Sequence, residues 1–225
     1  PLKGIGLCVP GPINIQTGVI FNAPNLRWKN VPIVSMLEQE FGAPVILEND
    51  GNAAAMGECY YGAGQGTTDL IYMTVSTGIG GGIISHGELV YGRDYSAGEI
   101  GHMVVLPNGP LCGCGRKGCI EALASGTAIV RQAGERLRKG ERSLIRELIS
   151  DDLGRLTASE VAEAAREGDE LALSVLDQAF WYLSIALGNL VNLLNPETIL
   201  IGGGVAKMGP LLFEKVNQNL KDGGE

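Results

Sequence analysis

LCGCGRKGCIE, residues 111 to 121, places three of the chain's five cysteines within eight residues, at the spacing C-x-C-x4-C. Gly113, Gly115 and Gly118 stand between and beside them, and glycine lets a backbone curl so that several sulfurs converge. A disulfide framework needs an oxidising compartment, whereas five cysteines is an odd number. The opening PLKGIGLCVPGPIN has no basic stretch followed by a long apolar run, so no signal peptide is read there. With no C-x-x-C, a redox pair is the weaker reading. A metal clip and a set of free loop thiols remain. Zinc takes four tetrahedral ligands, and histidine commonly completes a three-cysteine set. The chain has two histidines, His86 and His102. His102 closes AGEIGH ten residues before Cys112, so His102, Cys112, Cys114 and Cys119 are the predicted zinc ligands. Such a closed site is structural, with no open position for water. Glu99 and Glu121 flank it. Taken singly each reads as a solvated surface acid; held beside His102, whose second ring nitrogen can bond elsewhere, they could face a hydroxyl-rich ligand.

Outward from this cluster, strands alternate with helices. KGIGLCV (3–9), GVIFN (18–22), VILEN (45–49) and DLIYMTVS (69–76) read as strands, the first, third and fourth as buried ones. IVSMLEQEFG (33–42) reads as a helix closed by glycine, and NAAAMGECYYG as a second helix. TGIGGG turns into the hairpin IISHGELV, and residues 93–121 form a Gly-rich, loop-like region. From Ser125 to Pro196 the chain reads as helical, with Phe180, Leu183, Leu187, Leu190, Val191 and Leu194 on one apolar face. TILIGGG (198–204) and PLLFEKVNQNL add a strand and a helix. The order is that of an α/β protein.

Composition narrows the function classes. Hydrophobic residues make up 45% and charged residues 19%, an ordinary globular balance. A formal charge of −8 argues against nucleic-acid binding through this region, since phosphate neutralisation needs a basic surface. AFWYLSIALGNLVNLLN (179–195) is broken by Asn189, Asn192 and Asn195, so it reads as a core helix and no membrane partner is expected. With an odd cysteine count and no secretory signal read, a reducing compartment is expected, and so a cytoplasmic location.

Two further features carry chemistry. In VILENDGNAAAMGE a strand stops at Asn49-Asp50 and a helix opens, and ligands of α/β sheets sit beyond the carboxyl ends of strands. Asp50 there could take a proton from a substrate hydroxyl, and Asn49 could bond a neighbouring hydroxyl; both are equally ordinary helix caps. The second feature is a pair of glycine loops, VSTGIGGGI and LIGGGVA, whose N–H groups could approach phosphate. No G-x-x-x-x-G-K-[ST] is present. Two loops on separate strands suit a nucleotide better than a dinucleotide.

In this order, VPGPIN, APNLRW, ENDGNAAAMGE, STGIGGGI, AGEIGHM, CGCGRKGCIEALASG and ILIGGG resemble the ROK family of sugar kinases and repressors, most closely its bacterial-type glucokinases. The resemblance implies an actin-like ATPase (ribonuclease H-like) fold of two lobes, with residues 1–54 part of the small lobe and 55–225 the large lobe. It implies ATP-dependent phosphorylation of glucose at the 6-hydroxyl, with Mg2+ and Zn2+ and a homo-oligomer. By the same resemblance Asp50 is the general base; Asn25, Asn49, Glu99, His102 and Glu121 are sugar contacts; Thr77, Gly78 and Gly80 form a phosphate loop; and Gly203 lies in the adenosine loop. His102, Cys112, Cys114 and Cys119 match the family's zinc set.

Three departures stand against this. The family's Asp-x-Gly-Gly-Thr phosphate loop is missing, as is its closing segment, so the chain is expected to be a fragment that need not transfer phosphate alone. Gly51 stands where the family often has alanine. A sugar-sensing module of a ROK-type repressor is the alternative, and a kinase for N-acetylmannosamine or fructose is a third possibility.

Overall fold

The computed structural model describes residues 2–23 and 26–222. Packing divides the chain into two compact units, one of Pro1–Met73, Gly81–Glu99 and Pro196–Leu200, the other of Thr74–Gly80, Ile100–Asn195 and Ile201–Glu225.

In the first unit, β1 (Ile5–Val9) runs parallel to β5 (Val45–Asn49), with Val9 opposite Asn49. Parallel neighbours need a long crossover, and this one carries a meander and a helix. The meander is β2 (Ile13–Asn14), β3 (Val19–Ala23) and β4 (Trp28–Val31), paired antiparallel in that order. The helix, α1 (Ile33–Phe41), stops at Gly42 in the left-handed conformation (φ 62°), as the closing glycine predicts. Val9, Ile20, Ile33 and Leu47 form the core beneath. The sequence reading of β1 and β5 as buried strands is corrected. Cys8 is exposed and Ile46 is 74% exposed, because side chains alternate along a strand and only one face is covered.

α2 (Asp50–Tyr61) opens directly from β5. A four-stranded sheet has the order β8 (Glu88–Leu89), β7 (Ile79–Ser85), β6 (Leu70–Val75), β9 (Thr198–Gly202). β7 and β8 make the predicted hairpin, Ile84 opposite Leu89. Its two turn residues, His86 and Gly87, both have positive φ, the conformation that follows strand twist most closely.

The second unit is mainly helical: α3 (Glu121–Ala124), α4 (Gly126–Arg138), α5 (Ile145–Leu148), α6 (Ala158–Arg166), α7 (Glu170–Leu194) and α8 (Pro210–Asp222). Thr157 and Glu160 form a capping box at the start of α6. α7 begins where the Asp169 carboxylate accepts the Ala172 N–H and ends at left-handed Asn195, before Pro196. Phe180, Leu183, Leu187 and Leu190 are buried as predicted, each contributing about 2 kcal/mol by burial. Val191 and Leu194 are not, at 43% and 40% exposure: both lie in the helix's last turn, beyond Leu190, the last residue of α7 that packing covers. By length and composition alone α7 could cross a membrane, yet it packs against α3, α4, α6 and α8. It is the core helix of this unit.

Candidate functional site

The cysteine stretch folds as a chain of tight turns. Val104 bridges Cys119, and Leu111 bridges Lys117, both antiparallel. The Cys112 N–H donates to the Arg116 carbonyl at 2.8 Å, and the Gly115 N–H to that of Cys112 at 2.9 Å. His102 ends a short 3-10 turn, Ile100–His102. The next residue is tied back, since the Ile120 N–H donates to the Met103 carbonyl at 2.9 Å. The result brings one ligand atom from each of His102, Cys112, Cys114 and Cys119 within 4.8 Å of all the others. The Cys112 Sγ lies 3.7 Å from the His102 Nδ1, and the Cys114 Sγ 3.7 Å from the Cys119 Sγ. A zinc–thiolate length near 2.3 Å in tetrahedral geometry separates sulfurs by about 3.8 Å. The four residues therefore fit a four-coordinate metal ion. Their thiols differ in acidity. Burial pushes Cys112 up to about 12 and also raises Cys119, while the Arg116 backbone N–H brings exposed Cys114 down to about 6.

Glu121, first residue of α3, adjoins this cluster. Its Oε2 accepts the Ile79 N–H at 3.1 Å, and the Cys112 thiol faces its Oε1 at 3.5 Å. Glu99 is exposed and belongs to the first unit. Asn25 lies outside the described residues.

At the junction of β5 and α2, the two adjacent polar residues divide the work. Asn49 is the cap: its Oδ1 accepts the N–H groups of Gly51 and Asn52 at 2.8 and 3.3 Å. Asp50 is exposed, with one oxygen 2.9 Å from the Gly51 N. Behind them is a network that the sequence reading missed. Glu48 accepts from the Tyr91 hydroxyl at 2.8 Å, from the Asn52 Nδ2 at 3.0 Å and from the Asn49 N–H at 2.8 Å. Burial, then the Glu48 contact, pushes the Tyr91 hydroxyl up to about 12. Residues 43 apart share this bond, so no local spacing signals it. Gly51 also finds its reason: a Cβ there would collide with the Gly81 carbonyl oxygen.

The glycine loops flank a cavity of about 500 Å³ within the second unit. Thr77 lines it, as do Val130, Leu156, Val205 and Met208, which give it apolar walls. Gly78, Gly80 and Gly203 are not among its lining residues; Gly204 is. Gly203 (φ 88°) carries the chain past β6, where a Cβ would sit 2.5 Å from the Val75 carbonyl oxygen. The sequence reading missed Thr127, Arg166 and Lys207, which also line this cavity. The Thr127 hydroxyl donates to the Thr77 carbonyl at 2.7 Å. The two cations come from α6 and from the turn after β9, and no motif joins them.

The ROK family profile matches residues 1–223. The chain belongs to the ROK family. Its fold is the actin-like ATPase fold of ROK sugar kinases, as the sequence resemblance implied. This ROK chain is 45% identical to the glucokinase of Halalkalibacterium halodurans over 221 residues, 98% of this chain and 67% of the relative. It is 35% identical to the xylose repressor of Caldicellulosiruptor bescii over 217 residues, 96% of this chain and 54% of that one. A ROK family glucokinase from Streptomyces griseus, solved in complex with glucose and AMPPNP, matches with a TM-score of 0.88 at 36% identity, covering 99% of this chain and 72% of that structure.

Proposed function

We propose that this ROK chain is part of an ATP-dependent kinase that phosphorylates glucose at its 6-hydroxyl. The reading is carried by the 45% identity to the H. halodurans glucokinase across 98% of the chain. Asp50, exposed at the carboxyl end of β5 and relieved of capping by Asn49, takes the proton of the 6-hydroxyl as that oxygen attacks the terminal phosphorus and the bond from that phosphorus to the bridging oxygen breaks, releasing ADP. Asn49 has its Oδ1 engaged in the cap, so its Nδ2 is the atom that donates to a sugar hydroxyl. Asn25, Glu99, His102 and Glu121 complete the sugar contacts.

Thr77, Gly78 and Gly80 face the phosphates and Gly203 the adenosine, with the apolar cavity walls around the base. Arg166 and Lys207 add positive charge at the cavity to an acidic chain. Mg2+ bound with ATP would offset phosphate charge, and Zn2+ held by His102, Cys112, Cys114 and Cys119 would give the 102–121 segment a fixed shape. Residues 1–54 belong to the small lobe and 55–225 to the large one, in a cytoplasmic homo-oligomer.

The second reading, a repressor's sugar-sensing module, is favoured by the 35% identity to the C. bescii xylose repressor. A coupled assay for glucose 6-phosphate on the full-length protein with MgATP separates the two. Turnover with glucose above that with fructose or N-acetylmannosamine supports the first. Sugar-dependent DNA binding without turnover overturns it.

A further inference from the structure

We infer that Glu121 is a positioning residue for the Thr77–Gly80 loop, holding it in the shape that receives the phosphoryl donor. The inference rests on the kinase reading and gives Glu121 a task beyond contact with sugar. Every backbone group involved lies within the second unit. The loop is clamped at successive peptides. The Ser76 carbonyl accepts the Gly126 N–H at 2.7 Å, the Thr77 carbonyl accepts the Thr127 hydroxyl at 2.7 Å, and the Gly78 carbonyl accepts the Ser76 N–H at 2.9 Å. The next N–H, that of Ile79, donates to the Glu121 Oε2 at 3.1 Å. Each of the other bonds is to backbone or a neutral hydroxyl; this one ends on a carboxylate, and charged acceptors make the stronger bonds.

Sterics agree with the bond. A Cβ on Gly78 would stand 2.6 Å from the Glu121 Oε2, and one on Gly101 would collide with the Ile79 carbonyl oxygen. Ile79 is therefore bonded on one side by Glu121, two residues after Cys119, and closely approached on the other by Gly101, the residue before His102. Both neighbours lie within two residues of a metal ligand. What fixes that cluster also fixes the loop peptide, so the segment that orients sugar contacts sets the donor loop as well.

The test measures MgAMPPNP and glucose affinity by calorimetry, and amide exchange of Thr77–Gly80, in the full-length protein and in Glu121→Gln, Glu121→Asp and Glu121→Ala. Glutamine keeps an oxygen for the Ile79 N–H; aspartate keeps the charge but is one methylene too short. The expected result is a MgAMPPNP Kd raised about threefold for glutamine, which keeps the bond but loses its charge, and about tenfold for aspartate and alanine. The KM for ATP rises in step, and Ile79 exchange quickens in the same order, least in glutamine. If all three bind MgAMPPNP as wild type does and Ile79 exchange is unchanged, the inference is overturned, whatever happens to glucose affinity. An alanine variant that fails to fold leaves the glutamine–aspartate contrast to decide. Wild type that does not bind MgAMPPNP overturns the kinase reading and the donor role together, a result distinct from variants that bind equally.

Discussion

The Cys114 and Cys119 sulfurs lie 3.7 Å apart, well beyond the ~2.05 Å of a disulfide and close to the ~3.8 Å edge of a zinc–thiolate tetrahedron. Native mass spectrometry is therefore expected to find one zinc ion per chain. Chelation, or Cys119→Ser, should release it and speed amide exchange across residues 102–121, because that segment is held by turns and two isolated bridges rather than by a sheet. A Cys114–Cys119 disulfide with no metal, in reducing buffer, would contradict the assignment.

Asp50→Asn is expected to lower kcat by about 10²–10⁴ while glucose affinity stays within a few-fold. The exchange is nearly isosteric, and an amide oxygen can still accept the Gly51 N–H that Asp50 now holds at 2.9 Å. Asn49 retains the cap, so the thermal midpoint should hold. A variant whose kcat stays within tenfold of wild type would remove Asp50 from the role of base.

How far the site could be read from sequence follows the separation of its parts. The metal set was legible because three ligands fall in eight residues with glycines between. The Asn49–Asp50 junction was legible because a strand stops where a helix begins, though which residue caps was not. Glu121 to Ile79 spans 42 residues and Glu48 to Tyr91 spans 43; such contacts are set by tertiary packing and leave no period in the chain. The cavity lining of Thr127, Arg166 and Lys207 is missed for the same reason. The fold class came from the alternation of apolar runs. The one-sided burial of β1 and β5 did not, since an apolar run alone cannot say how many faces are covered.

Phe180→Ala should destabilise the protein by about 3–5 kcal/mol. Phe180 is 2% exposed near the middle of α7, a helix that packs against four others along its length, and close packing leaves little room for collapse into the void. Urea unfolding followed by circular dichroism measures this. At the far end of the same helix, Leu194→Ala should cost under about 1 kcal/mol, since large losses come from cavities in the core and Leu194 is 40% exposed. Equal losses at the two positions would show that α7 is not packed as described.

The acid limb of stability should depend on Glu197. Its Oε1 accepts the Thr68 N–H at 2.7 Å, the Asp69 N–H at 3.1 Å and the Thr68 hydroxyl at 3.1 Å. The Thr68 N–H, then that of Asp69, hold its pKa below the ordinary 4.5. A carboxyl depressed in the fold binds a proton more readily when unfolded. Its contribution is therefore complete above the unfolded value and is lost as pH falls through the lower folded one. Glu197→Gln, which removes the titration, should have a lower urea midpoint than wild type at pH 7. The gap should narrow as pH drops below about 4.5, where the wild-type carboxyl begins to gain its proton. Asp69, lowered chiefly by the Ser85 hydroxyl and then by the His86 N–H, remains in both proteins, and its charge pushes Glu197 the other way, so the difference between the two urea midpoints reports Glu197 together with its coupling to Asp69. A gap that is constant from pH 7 to pH 3 would show that these three bonds do not favour the ionised carboxylate.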